Sequence, residues 1–235
     1  MLALEPASLL VPLGPGITSA GFQLGDHEQV IAELGSLVPL EGLSQSAVAK
    51  RRAEYMAGRY AARRALAGLG IDGAPGRDER GCPVWPSGIA GSITHGASRA
   101  FSAVARASDV LGVGIDAEQL MSARAKDELL ARICDADERT ILTKLHAPEP
   151  ALVTFAFSAK ESLYKCLYPF IGRFMDFSAA RVVEASGAPG PNGLEGELEL
   201  ELSVDWSESF RRGRRFRAPF VASAHHVETG VVLRP

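Results

Sequence analysis

The chain has no cysteines close together: Cys82, Cys134 and Cys166 stand far apart and are odd in number. Without a Cys-x-x-Cys pair, neither a zinc site nor a disulfide framework is indicated, and a reducing cytosol suits the chain best. Long apolar runs are missing too. None reaches the ~18 residues needed to span a bilayer, so no membrane span is expected. No Lys or Arg precedes Lys50, so the basic start of a signal peptide is not expected either. Neither sign of charge dominates. Lys and Arg number 25 against 28 Asp and Glu, a net charge of −3. That balance argues against a general nucleic-acid or membrane-surface binder, while leaving room for a local basic patch. What is present is ordinary for a soluble globular protein, with 46% hydrophobic and 23% charged residues. The 235 positions suffice for one large domain or two small lobes with a sizeable core.

One short stretch organises the rest. Gly112-Val113-Gly114-Ile115-Asp116-Ala117-Glu118 reads as a strand, with Val113, Ile115 and Ala117 on one face by period-2 alternation. Gly112, Gly114, Asp116 and Glu118 share the other face, which the glycines leave bare, as room for a ligand. Two carboxylates this close repel unless a proton or cation lies between them. Hard oxygen ligands of this kind suit Mg2+, which takes one or two carboxylates and completes its shell with water and phosphate. The alternative is a solvent-facing strand end with two solvated acids.

A helix is predicted over residues 44–67, capped by Ser44 or Ser46 and ended by Gly68 and Gly70. Val48, Tyr55, Met56, Ala62 and Leu66 form its apolar face. Arg52, Arg59 and Arg63 project together, flanked by Arg51 and Arg64. They form either a solvated basic face or a phosphate-gripping one, since guanidinium forks match phosphate oxygens two at a time. Before it, Ile17–Leu24 reads as a strand and His27–Leu34 as a short helix. After it, the loop 71–88 carries Arg77 and Arg80, both able to reach an anion. Two strands follow, meeting at His95-Gly96-Ala97-Ser98. His95 is either a structural hydrogen-bond partner or, partly charged, a phosphate ligand. Beyond the acidic strand, helical spacing covers Ala125–Ile133 and Asp137–Leu145, with Asp135 as a cap for the second piece.

Phe157-Ser158-Ala159-Lys160-Glu161-Ser162-Leu163-Tyr164-Lys165 opens as Ser-x-x-Glu, the capping-box pattern of a helix start. Glu161 then either reaches back to Ser158 or does chemistry, and Lys165, four residues on, shares its face. Phe174, Met175 and Phe177 are either core or an exposed docking surface. Residues 185–196, rich in Gly and Pro, read as a mobile connection. Glu197 to Val204 alternates as a strand, the arginine run 211–215 as a turn, and Phe220 to Ala224 as a returning strand. The tail after Gly230 is too short to read.

Gly91-Ser92-Ile93-Thr94-His95, Gly114-Ile115-Asp116-Ala117-Glu118 and Phe157 to Lys165, in that order and separation, resemble the Sfp-type 4'-phosphopantetheinyl transferases. The segments Lys50–Arg59 and Gly81-Cys82-Pro83-Val84-Trp85-Pro86 resemble the bacterial branch with enterobactin-type and actinobacterial members. The resemblance implies an α/β (α+β) fold of two similar lobes in a pseudo-twofold arrangement. It divides the chain at residues 1–110 and 111–235 and places coenzyme A in the cleft between the lobes. It implies transfer of the 4'-phosphopantetheine arm of coenzyme A to a serine of an apo acyl, peptidyl or aryl carrier protein, releasing 3',5'-ADP.

Asp116, Glu118 and Glu161 would hold Mg2+, with Mn2+ as the alternative ion. Asp116, Glu161 and Lys165 would be catalytic, Glu161 accepting the serine proton and Lys165 stabilising the leaving phosphate. Arg51, Arg59, Arg77 and His95 would bind the 3'-phosphate, Thr94 would contribute its backbone, and Lys160 and Lys165 would hold the pyrophosphate region. A cytoplasmic monomer is expected, with no nucleic-acid or membrane partner. The rival readings are another Mg2+-dependent phosphoryl enzyme and a non-catalytic module binding coenzyme A or a carrier protein.

Overall fold

A computed structural model describes residues 3–38, 43, 47–96, 98–122, 124 and 130–235. The chain divides into two compact units, one of Met1–Leu9, Gly14–Val113 and Arg234–Pro235, the other of Leu10–Leu13 and Gly114–Leu233.

The first unit is built on an antiparallel sheet of four strands: β1 (Leu4–Pro6), β2 (Ile17–Leu24), β5 (Ile89–Gly96) and β6 (Arg99–Arg106), in the order β1-β2-β6-β5. A small ribbon pairs β3 (Gly76–Arg77) with β4 (Pro83–Val84). Helix α1 (His27–Leu34) is capped by Asp26, whose side chain accepts from the Gln29 amide at 3.1 Å. Strand β2 and helix α1 fall where the sequence pattern puts them.

Helix α2 (Ala49–Gly68) packs on β2, β5 and β6 and carries α1 on its flank. Its alanines have the highest helix propensity and let the helix sit close to the sheet. Ala53, Met56, Ala57, Ala61, Ala65 and Leu66 are fully buried. The helix starts at Ala49 after Val48, which makes no side-chain cap. The caps expected at Ser44 or Ser46 lie outside the described residues, as do residues 125–129 of the helix expected at Ala125–Ile133.

The second unit is built on a five-stranded sheet in the order β7-β11-β10-β9-β8. Its strands are β7 (Gly112–Gln119), β8 (Ala180–Gly190), β9 (Gly193–Leu202), β10 (Arg215–Ala222) and β11 (His226–Leu233). Two expectations change here. Residues 185–196 are a paired hairpin of β8 and β9 rather than a mobile connection. Ladder hydrogen bonds and cross-strand neighbours outweigh the local preference of Gly and Pro for turns. The tail after Gly230 belongs to β11, which lies between β7 and β10.

Helix α3 (Ala136–Leu142) starts with the expected Asp135 cap, a full capping box with Glu138. Helix α4 (Glu149–Ile171) packs on β10 and β11. Phe155, Ala159, Leu163 and Leu167 meet Leu198, Leu200, Phe220 and Val227 in one apolar core. Pro150 occupies the first turn of α4, where a missing N–H costs nothing. Among the described residues no helix is long and apolar enough to cross a membrane.

Candidate functional site

The acidic face of β7 is not bare. A Cβ on Gly114 would overlap the carbonyl oxygen of Ser162 and lie 2.6 Å from the Cys166 amide. The glycine therefore makes room for the backbone of α4, not for a ligand. This close approach brings α4's polar residues to the strand's carboxylates. Lys165 Nζ lies 2.6 Å from Asp116 Oδ1 and donates to the Ile115 carbonyl at 3.1 Å. Asp116 is only 2% exposed, so this contact works in a poorly screened environment. One turn earlier, Glu161 is half-buried. Burial pushes its carboxyl above the usual range, Lys165 opposes that shift, and the Asp116 carboxylate adds to it. Asp116, Glu161 and Lys165 thus form one electrostatic group, with Glu118 half-buried further along β7.

Among the described residues no three His, Cys, Asp or Glu side chains stand close enough to hold a metal ion. Asp116, Glu118 and Glu161 are therefore not a ready three-carboxylate cage. Their donor chemistry still fits Mg2+, which needs only one or two carboxylates when phosphate and water supply the rest. Burial raises the Glu161 carboxyl first and the Asp116 charge adds to it; a divalent cation would relieve that repulsion between the two acids.

Two expectations about α4 are corrected. The helix begins at Glu149, so Ser158 is interior: it is fully buried and hydrogen-bonded to Thr229 Oγ1 at 2.9 Å. No capping box forms there, and Glu161 is left to the site. Lys160, expected to hold the pyrophosphate, is buried in the core side of the unit at 3% exposure. Its Nζ pairs with Glu138 Oε1 at 2.7 Å and donates to the carbonyls of Ile133 at 2.7 Å and Phe177 at 3.1 Å. An ammonium has three protons, and these three partners use them all. In this arrangement Lys160 turns into the unit and has no donor left for the pyrophosphate it was expected to hold. The Phe174 cluster divides: Met175 is core, Phe177 packs on Phe157, and Phe174 is 72% exposed at the edge of Tyr164.

The first unit gathers the basic candidates. Gly58 lets α2 approach β5, since a Cβ there would press on Ile93 and His95. Arg51 Nη1 then lies 3.3 Å from His95 Nε2. Arg59 is not on a solvated face: it is 5% exposed. Its Nη1 donates to Pro75 O at 2.5 Å and also to Gly76 O. Its guanidinium stacks over the Tyr55 ring at 5.2 Å, and that of Arg77 lies 5.7 Å from the same ring. Burial lowers the Arg59 pKa, Tyr55 raises it, and the Arg77 charge lowers it further. Tyr55, Arg59, Arg63, Gly76 and Arg77 line a pocket of about 510 Å3. Arg77 Nε is buried there without a hydrogen-bond partner among the described residues, a donor suited to an anion.

Thr94 alternates to the opposite face of β5 from His95 and is buried. Its hydroxyl is therefore not beside the imidazole, which leaves only its backbone for the expected contact. Sequence reasoning passed over Tyr55 as a site residue, although its place four residues before Arg59 puts both on one helix face.

One unit thus presents clustered arginines and a histidine, the other a buried carboxylate countered by lysine beside a second acid. A model of the 4'-phosphopantetheinyl transferase N-terminal domain matches residues 40–105, and one of the 4'-phosphopantetheinyl transferase superfamily matches residues 112–216. The chain is 46% identical over 121 residues to enterobactin synthase component D of Salmonella typhi, covering 52% of this chain and 50% of that protein. It is 41% identical over 141 residues to 4'-phosphopantetheinyl transferase Svp of Streptomyces mobaraensis, covering 58% and 56%. With 4'-phosphopantetheinyl transferase Npt of Nocardia iowensis it shares 35% identity over 185 residues, 75% of this chain and 80% of that protein. The chain spans about half the length of the enterobactin components it matches. It belongs to the 4'-phosphopantetheinyl transferase superfamily.

Proposed function

We propose that the chain transfers the 4'-phosphopantetheine arm of coenzyme A to a serine hydroxyl of an apo acyl, peptidyl or aryl carrier protein and releases 3',5'-ADP. The observation that carries this reading is the close grouping of Asp116, Lys165 and Glu161 where α4 meets β7, in a chain of this superfamily. Arg51 and His95 bind the 3'-phosphate, with Arg59 and Arg77 supplying positive charge around the neighbouring pocket. Asp116 and Glu161, with Glu118 alongside, would hold Mg2+ or Mn2+. When bound, the ion neutralises charge on the pyrophosphate.

Glu161 accepts the serine proton, directly or through water. The serine oxygen forms its bond to the β-phosphorus, and the bond from that phosphorus to the bridging oxygen breaks. Lys165 faces the charge that develops on the leaving 3',5'-ADP and hydrogen-bonds it. Phe174 and Tyr164 form an apolar part of the rim that receives the carrier. The similarity to enterobactin synthase component D favours a carrier of siderophore biosynthesis. The chain works as a monomer in the cytoplasm.

The test is intact-protein mass spectrometry of an apo carrier protein incubated with coenzyme A, Mg2+ and the purified chain. A gain of one phosphopantetheine, abolished by chelation, is the expected result. No gain with several carrier types would overturn the proposal. Coenzyme A binding that persisted without transfer would then indicate a binding module.

A further inference from the structure

Thr229 lies on β11 under α4 and is 0% exposed. Its Oγ1 is 2.7 Å from Ser162 Oγ and 2.9 Å from Ser158 Oγ, and Ser162 Oγ also donates to the Thr229 carbonyl at 3.2 Å. Ser158 and Ser162, four residues apart on one helix face, are themselves 0% exposed. Three buried hydroxyls therefore join helix to strand across the seam.

Leu163 and Leu167 are also fully buried on this helix, but apolar contacts have no directional preference and tolerate small sliding. Hydrogen bonds do not. They weaken steeply once distance and angle leave their narrow range, and a buried hydroxyl left without a partner keeps its desolvation penalty. The hydroxyls thus select one axial and rotational setting of α4 on β11. Glu161 immediately precedes Ser162, and Lys165 is three residues beyond it. The same turns of helix press their backbone onto Gly114, two residues before Asp116 on β7, the next strand of the sheet. The setting that satisfies Thr229 is the setting in which Lys165 Nζ reaches Asp116 Oδ1 at 2.6 Å.

The geometry points to Thr229 as a positioning residue for the transfer reaction: through Ser158 and Ser162 it holds Glu161 and Lys165 in register with Asp116. This inference rests on the proposed transferase activity. Thr229 is fully buried, so it acts through the helix and not on substrate. Displacements of about 1 Å at reacting groups cost on the order of 100-fold in rate, so loss of the hydroxyl should show in turnover.

The experiment compares steady-state transfer by the wild type, Thr229→Val and Thr229→Ser, with folding checked by circular dichroism. Ser102→Ala serves as a control in the other unit, removing a buried hydroxyl that donates to the Ser92 carbonyl. Thr229→Val should lower kcat about 10- to 100-fold with KM for coenzyme A within about twofold of the wild type. Thr229→Ser should restore most of kcat, and Ser102→Ala should leave it unchanged. A folded Thr229→Val with wild-type kcat overturns the inference. So does a Thr229→Ser that is as slow as the valine variant, because the hydroxyl would then not be the cause. If the valine variant does not fold, Ser158→Ala replaces it with the same expected split, and a normal kcat there overturns the inference. A wild type that transfers nothing counts against the proposed function instead.

Discussion

At the scale of single residues, α4 separates neighbours in sequence by function. Lys160 and Glu161 are adjacent, yet one is consumed by internal bonds to Glu138, Ile133 and Phe177 and the other stands beside Asp116 and Lys165. Removing one partner of a buried ion pair leaves the other charge uncompensated. Lys160→Ala should therefore destabilise the fold by about 3–5 kcal/mol, read from urea unfolding. A loss below about 1 kcal/mol would contradict the buried-pair account. Glu161→Gln should instead lower transfer at least 100-fold while the protein stays folded, checked by mass-spectrometric rates alongside thermal melts.

The Glu161 titration also has a sign. A carboxyl raised in the folded state binds its proton more tightly there than in the unfolded chain. Its contribution to stability is present at pH below the ordinary carboxylate range and is lost as pH rises through the raised value. In metal-free buffer with chelator, Glu161→Gln should lack that loss. The melting temperature of the wild type should thus fall relative to the variant across that rise.

At the scale of elements, the decisive contact is α4 against β7 and β11. Gly114 permits it, because any side chain at that position meets the Ser162 carbonyl. Backbone cannot yield as a flexible side-chain tip does, so Gly114→Ala should force α4 away from β7. Overpacking of this kind costs about 1–3 kcal/mol or more. The expected result is a lower denaturation midpoint together with a marked loss of transfer per folded molecule. A variant as stable and active as the wild type would show that the contact is looser than described. The β8–β9 hairpin and β11 belong to this scale as well. Their Gly and Pro residues favour turns locally, but pairing of β8 with β9 supplies cross-strand hydrogen-bond partners along the hairpin.

At the scale of the whole molecule, the three cysteines report on packing. Cys134 and Cys166 are buried, and burial pushes both thiols up to about 12. Cys82 is partly exposed. Because the thiolate is the reactive form, one cysteine should react quickly with an aromatic disulfide reagent in the native protein and three after denaturation. More than one fast thiol would mean that the core around α4 opens readily.

The sequence by itself determined the class of fold and the superfamily, and it named the candidate site residues. The spacing of Asp116, Glu118, Glu161 and Lys165 and the arginines of α2 were legible because strand and helix periods act over a few residues. It also marked β2, α1 and the Asp135 cap, which depend on nearest neighbours. Tertiary structure alone decided which side of each choice was taken. The opening of α4 at Glu149 rather than Ser158, the withdrawal of Lys160 into a buried pair, and the use of Gly114 as a seat for helix backbone all depend on partners far away in sequence. So does Thr229 on a strand formed by the last residues of the chain. Local propensity differs by tenths of a kcal/mol per residue, whereas burial and pairing act in whole kcal/mol, and the larger energies set the final arrangement.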